Sequence, residues 1–274
     1  MVLTRRDFLR SATVVSVGAL AGTAAYGVAY ERHQIDLISR DVAVRGLPPA
    51  LEGLRVGMIT DVHHSSVVPA DDIARAVSRL KDASPDIIVL GGDYVSFFDR
   101  QYVVPVAELL APLAEAPHGS FAVLGNHDDE REVPAMLAAR GFTVLKDQRT
   151  ALTVRGERLD IAGIRFWTKT PGEIAGVLKG TGGTTILIAH DPRRLTEAAA
   201  LDVQLVLSGH THGGQVVVPA VGAIAGRKFP VLAGYATRGN TSLFVSRGVG
   251  TVYVPVRINC PPDVAVLTLR TAPV

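Results

Sequence analysis

"RVGMITDVHHSSVVPADDIARAVSRLKDASPDIIVLGGD", residues 55–93, decides the fold class. It opens on an apolar run, 55–61, that ends in polar residues. Residues 69–83 then place Ile73, Val77 and Leu80 at helical spacing. A second apolar run, 86–93, closes on another carboxylate, Asp93. Strand, helix and strand in this order predict a βαβ unit whose parallel strands are covered on both faces.

Outward from that unit the pattern repeats. "VPVAELLAPLAEA" (104–116) reads as a helix, "SFAVLGNHD" (120–128) as a strand, "EVPAMLAAR" (132–140) as a helix and "FTVLKD" (142–147) as a strand. "TALTVRGERLDIAGI" (150–164) reads as a hairpin turning at Gly156, and "PGEIAGVLKG" (171–180) as a short helix. "TTILIAHD" (184–191) and "VQLVLSGH" (203–210) are strands around the helix "RRLTEAAA" (193–200). The last part, "TSLFVSRGVGTVYVPVRI" and "VAVLTLR", reads as β-rich, and no internal repeat is visible. The expected fold is α/β, a four-layer α-β-β-α sandwich of two mixed sheets.

A chain of 274 residues suits one large domain with a sizeable core. Its 47% hydrophobic and 20% charged residues are globular values, and a net charge of +2 makes no strong basic field, so no nucleic-acid partner is expected. The single cysteine, Cys260, excludes an internal disulfide and a multi-cysteine zinc site. A metal would have to be held by imidazole, carboxylate and amide groups.

The beginning of the chain has a different character. "TRRDFLR" (4–10) leads into "SATVVSVGALAGTAAYGVAY" (11–30), which carries no charge before Glu31. A basic start followed by an apolar stretch is the layout of an export signal. Thr4, Arg5, Arg6, Phe8 and Leu9 resemble the twin-arginine pattern, which implies the twin-arginine export machinery as a partner. Residues 1–30 are therefore expected to be a twin-arginine signal peptide or signal anchor, with a plain membrane helix as the alternative, and residues 31–274 the folded domain. The expected location is periplasmic, in the cell wall or membrane-anchored on the outer face.

Five of the predicted strands end in the same kinds of residue. They lead to Asp61, His63 and His64, to Asp93, to Asn126, His127 and Asp128, to His190, and to His210 and His212. Six of the chain's eight histidines lie in these pieces. Loops beyond the carboxyl ends of strands converge on one crevice in such sheets, so these side chains are expected to meet there. Their chemistry fits two divalent ions of borderline softness, Mn, Fe or Zn, with Asp93 between them. An extended Asp61-Val62-His63 segment would point both ligands to one side, and Gly213 and Gly214 would let backbone approach the site.

"TDVHH", "GGDYV", "LGNHD", "IAHDP" and "SGHTHGGQ" together resemble, in order over residues 55–216, the successive blocks of the calcineurin-like metallophosphoesterase superfamily. The double histidine and "YVPVRINCPPDVAVLTL" are similar to its small exported or membrane-associated phosphodiesterase branch. The resemblance implies that Asp61, His63, Asp93 and His212 hold one metal, and that Asp93, Asn126, His190 and His210 hold the other. It implies that a hydroxide shared by the two cations is the nucleophile, and that His127 faces the scissile phosphate as the catalytic histidine. Relatives often place an aspartate shortly after the Gly-Asp block to orient that histidine, whereas this chain has Ser96 there, leaving Asp99 or Asp128 as orienters.

Other residues have plainer readings. His64 is either a substrate contact or a support for the ligands, and Asp128 a turn or supporting carboxylate. Tyr94 packs, Arg193 and Arg194 begin a solvated helix, and His33 and His118 have no assigned role. The expected function is hydrolysis of a phosphodiester outside the cytoplasmic membrane. Alternatives are a phospholipid or lipid-linked pyrophosphate substrate at the membrane surface, a cell-wall glycerophosphate polymer, and a non-catalytic metal-binding scaffold of the same fold. Against the last stands the filling of every ligand position.

Overall fold

The computed structural model describes residues 4–272. A long helix, α1 (Arg5–Ala29), precedes β1 (Asp36–Val44). The predicted βαβ unit follows as β2 (Arg55–Ile59), α2 (Ala70–Asp82) and β3 (Ile87–Leu90). Next come α3 (Val103–Leu110), β4 (Ser120–Ala122), α4 (Glu132–Ala139) and β5 (Thr143–Val144). The second half begins with the hairpin β6 (Gln148–Val154) and β7 (Glu157–Ile164), then α5 (Pro171–Leu178), β8 (Thr184–Ala189), α6 (Leu195–Ala200) and β9 (Leu205–Ser208). It ends with β10 (Val217–Val218), β11 (Gly222–Ala223), β12 (Gly234–Arg238), β13 (Thr241–Val245) and β14 (Asp263–Thr271).

Local chemistry explains the helices. Ile73, Ala76, Val77 and Leu80 form the buried stripe of α2, with Asp71 and Asp72 in its first turn and Arg79 and Lys81 in its last, each sign complementing the helix dipole. Thr170 and Glu173 close a capping box at the start of α5, with Pro171 at the first helical position.

Two six-stranded sheets result, in the orders β1-β14-β2-β3-β4-β5 and β12-β13-β9-β8-β7-β6. Both are mixed: β14 runs antiparallel to β2 in the first, and β6 and β12 are antiparallel to their neighbours in the second. Three apolar clusters separate four layers. Val56, Met58 and Val89 meet Ile186, Leu205 and Leu207 between the sheets. α2, α3 and α4 pack Leu80, Leu110 and Leu137 on the outside of the first sheet, and α5 and α6 pack Ile174 and Ala198 on the outside of the second. This is the expected α-β-β-α sandwich.

Several elements differ from expectation, among them β10, β11 and β12, which fall where no strand was expected. β1 was not foreseen, because it is defined by parallel pairing with the far end of the chain, Asp36 opposite Asp263 through Val44 opposite Thr271. "FTVLKD" contributes only the two-residue β5 at a sheet edge. The β-rich stretch 241–258 keeps a strand only over Thr241–Val245. Beyond it, Val254 N–H donates to Val252 O and Val256 N–H to Val254 O, while Tyr253 has φ 63°. Hydrogen bonds two residues apart and a left-handed residue are turns, not a ladder.

Candidate metal centre

The site forms where β2, β3 and β4 of one sheet and β8 and β9 of the other reach their carboxyl ends, since every predicted block begins within a few residues of one of these ends. Main-chain bonds fix the loops of each edge: Gly209 N–H donates to His190 O within the second sheet and Asp61 N–H to Gly92 O within the first, while Val249 N–H to Thr60 O ties the loop after β13 to the end of β2. His190 Nδ1 donates to Gly91 O at 2.7 Å across the two sheets, which turns its Nε2 toward the cleft; without a metal, Asp93 and Asp61 outweigh burial and raise this imidazole to about 10.

Two groups of ligand-type atoms result: Asp61, His63 and His212 in one, Asp93, His190 and His210 in the other, the atoms of each within 4.8 Å of one another. Asp93 Oδ2 lies 3.2 Å from His190 Nε2 and 3.5 Å from His63 Nε2, and so stands between the groups. Its other oxygen accepts from His127 N–H at 2.8 Å. Asp61 is held by the hydroxyl of Thr60 and by the amide of His210. Gly125 and Gly209 permit this crowding, because a Cβ on them would meet Asp93 Oδ1 at 2.0 Å and Asp61 Oδ2 at 2.1 Å.

The backbone pays no heed to strand geometry here. Asp61, His63, Asp93, His210 and His212 all have φ between 49° and 72°. The extended Asp61–His63 segment expected from the sequence is therefore absent, and the side chains converge through successive left-handed residues instead. Such conformations are costly for residues with a Cβ and persist only where surrounding structure enforces them. Gly213 and Gly214 also need correction. They have φ 62° and 83°, and a Cβ on them would meet Cys260 Sγ and Ala223 Cβ, so what approaches closely here is the chain around Cys260 and Ala223.

The donor set fits cations. Asn126 Oδ1 and His190 Nε2 are buried without a hydrogen-bond partner. His63 Nε2 and His212 Nε2 face each other at 3.2 Å, a separation that a shared proton or a cation between them would satisfy. Burial lowers His63 to about 4, and burial together with the neighbouring His190 lowers His210 to about 3. Burial also holds His212 well below its ordinary value. Neutral imidazole is the ligating form. Burial raises Asp61 to about 6, opposed by His190. Burial would raise Asp93 too, but His190 and His63 outweigh it and hold the carboxyl below the usual range. Two carboxylates and largely neutral imidazoles thus lie together in a mostly buried group that favours cations.

The remaining predicted residues take distinct places. His127 is 6% exposed, and its Nδ1 accepts from Phe97 N–H at 3.1 Å. The orienter is that amide, and neither Asp99 nor Asp128 serves. Asp99 caps a turn through Gln101 N–H. Asp128 accepts from Asp93, Tyr94 and Gly125 amides at 2.8 Å and clamps two loops. Ser96 Oγ lies 3.2 Å from His63 Nδ1 and supports that imidazole. His64 turns aside, donating to Val68 O and meeting the Tyr102 ring. Tyr94 is buried with its hydroxyl on Val123 O, and Arg193 pairs with Asp191.

Sequence reasoning missed Arg257. It is fully buried and donates to the carbonyls of His212, Cys260, Arg247, Gly248 and Gly250. Gly248 and Gly250 pack against Asp61 and His63, so this guanidinium fastens the loop behind the centre. It also missed an aromatic rim, Phe97 and Tyr253 beside His127 and Phe166 and Phe229 beside His210. The adjacent phenylalanines 97 and 98 after the Gly-Asp block were the available signal.

Comparison with known proteins agrees with this geometry. The family model for Calcineurin-like phosphoesterase matches residues 54–214, more than half of the chain, and the chain belongs to that family. It is a metallophosphoesterase, a hydrolase whose family uses two divalent metal ions, and its two ligand groups are those described above. Among its relatives are the uncharacterized metallophosphoesterase YkuE of Bacillus subtilis, 27% identical over 98% of each chain, and the phosphodiesterase YaeI of Escherichia coli, 31% identical over 78% of this chain and 82% of that one. A zebrafish transmembrane protein with a metallophosphoesterase domain is 29% identical over 95% of this chain and 63% of its own length.

Proposed function

We propose that the protein is a phosphodiesterase held at the outer face of the cytoplasmic membrane, delivered by the twin-arginine route. The observation that carries the chemistry is Asp93 Oδ2 standing within 3.5 Å of imidazoles from both ligand groups. Asp61, His63, Asp93 and His212 would hold one cation, and Asp93, Asn126, His190 and His210 the other. Two such cations activate water for attack and neutralise the phosphoryl oxygens. The chain's own part is to orient and to move a proton. Because Phe97 N–H occupies His127 Nδ1, the neutral imidazole carries its proton on Nε2 and donates it to the departing oxygen.

Similarity to a phosphodiesterase supports the diester over the monoester. The membrane reading is supported by α1, part of an apolar stretch long enough to cross a bilayer and only 6% buried, and by a transmembrane relative. The test is turnover of bis-p-nitrophenyl phosphate and p-nitrophenyl phosphate by manganese-loaded protein. The diester is preferred, and His127→Ala lowers kcat by about 10²- to 10⁴-fold with metal content intact. Equal activity of His127→Ala and the unaltered protein rejects the assignment. Intact mass of the exported protein decides whether residues 1–30 are retained.

A further inference from the structure

We infer that Phe97 and Tyr253 seat an apolar alcohol, the leaving half of an amphiphilic phosphodiester presented by a lipid bilayer; this rests on the phosphodiesterase reading above. A cavity of about 550 Å³ opens beside the centre, between Ser65–Val67, Ser96–Phe97, Asp99 and Thr251–Pro255, with Asp99 turned to its own cap on Gln101. Ser96 reaches His63 from this cavity, and the Phe97 ring lies 4.9 Å from that of His127. Tyr253 lies 5.6 Å from Phe97 and 6.3 Å from His127.

This wall is costly as built. Tyr253 is 80% exposed, Phe97 56% and Val254 51%. Phe97 and Tyr253 also have φ 52° and 63°, where bulky side chains are rarely found. Exposed aromatic surface and left-handed backbone meeting at the site mouth point to a ligand that covers it. The opposite flank differs in charge. Phe166 and Phe229 pack on His210 there, with Lys169 over the first and Lys228 over the second, where Arg193 also lies but is paired with Asp191. An ester with one apolar and one polar side has a single orientation between these flanks.

The chain also supplies the bilayer's position. The last turn of α1 docks on the segment that continues the apolar wall, with Arg257 N–H donating to Gly27 O at 3.2 Å. A Cβ at Gly27 would meet Val256 Cγ2 at 2.8 Å. Arg32 donates to Val67 O, and Glu31 accepts from Cys260 N–H. The end of α1 therefore lies beside the apolar wall, so a membrane holding that helix is brought to this side of the site.

His127 lies on the apolar side, which sets the bond that breaks. Water oxygen bonds to phosphorus, the bond from phosphorus to the apolar alcohol's oxygen breaks, and the His127 Nε2 proton passes to that oxygen. Water's released proton restores His127. The products are the apolar alcohol and a polar phosphomonoester.

The experiment uses the full chain, manganese-loaded, in phosphatidylcholine vesicles containing phosphatidylglycerol, with glycerophosphoglycerol, the deacylated form of the same diester, as the soluble comparison. The predicted products are diacylglycerol and glycerol phosphate, formed in preference to hydrolysis of the soluble diester. Phe97→Ser with Tyr253→Ser lowers that preference about tenfold or more, whereas Leu37→Ser on the outer strand β1 retains it. A second reading is independent of activity and of the double variant's folding. In a Trp167→Phe, Tyr253→Trp protein, the new indole is quenched by brominated lipid. Release of phosphatidate, a preference that survives the double substitution, an unquenched indole, or intact vesicles despite turnover of bis-p-nitrophenyl phosphate each overturn the inference. Absence of turnover on bis-p-nitrophenyl phosphate as well defeats the phosphodiesterase reading, and this inference with it.

Discussion

At the scale of single residues, Ser96 shows how the site is built where the sequence resemblance led to an expected aspartate. Ser96 occupies the place where an orienting aspartate was expected, yet its hydroxyl lies 3.2 Å from His63 Nδ1 while the Phe97 amide takes over His127. With His63 Nε2 turned to the ligand group, Nδ1–H donates to that hydroxyl and fixes the ring. Ser96→Ala should therefore weaken metal binding about tenfold, measured by competition with a chromogenic chelator, while the imidazole itself stays. Unchanged affinity would deny the serine this role. The ligand types were legible in the sequence because imidazoles, carboxylates and an amide follow five apolar runs. Their backbone was not, since residues two apart suggested an extended segment where Asp61 and His63 are left-handed. Phe97 and Tyr253 were illegible as a pair because 156 positions separate them and only the fold brings their rings to 5.6 Å.

At the scale of elements, the strands and helices of the βαβ units were readable because burial on both faces leaves uninterrupted apolar runs between helical stripes. Pairings remote in sequence were not. β1 becomes a strand only through β14, and 246–258 lost its ladder to tight turns around Tyr253. What holds that irregular segment is Arg257, whose partners are main-chain carbonyls and so leave no trace in side-chain pattern. Arg257→Leu should strand several buried acceptors and lower unfolding stability by about 3 kcal/mol, read from denaturant titration. A loss below measurement error would show that water replaces the guanidinium.

At the scale of the whole molecule, both sheets must be closed for the centre to exist, and acid opens them in a predictable sense. Burial alone would raise Asp160, but hydrogen bonds from Arg158 and the amides of Gly182 and Gly183 outweigh it and hold the carboxyl below its ordinary 3.8. Asp147 is lowered likewise against burial, by Thr168 and Arg165. A depressed folded value means the stabilisation is fully present above the ordinary carboxylate value and is lost as the pH falls through the folded one. Metal-free protein should therefore lose stability below about pH 4, and Asp160→Asn should flatten that loss while costing about 1–3 kcal/mol at neutral pH. Chemical unfolding across the acid range measures both. An acid dependence as steep in Asp160→Asn as in the unaltered chain contradicts the assignment.

The central claim is that one carboxylate joins two cations held by loops from two sheets. Elemental analysis of folded protein purified without added metal tests it most directly, comparing the unaltered chain with Asp93→Ala and His210→Ala. The predicted result is two ions per chain in the first, loss of both in Asp93→Ala and loss of mainly one in His210→Ala. A folded Asp93→Ala protein that keeps its full complement would contradict the bridge and the account built on it.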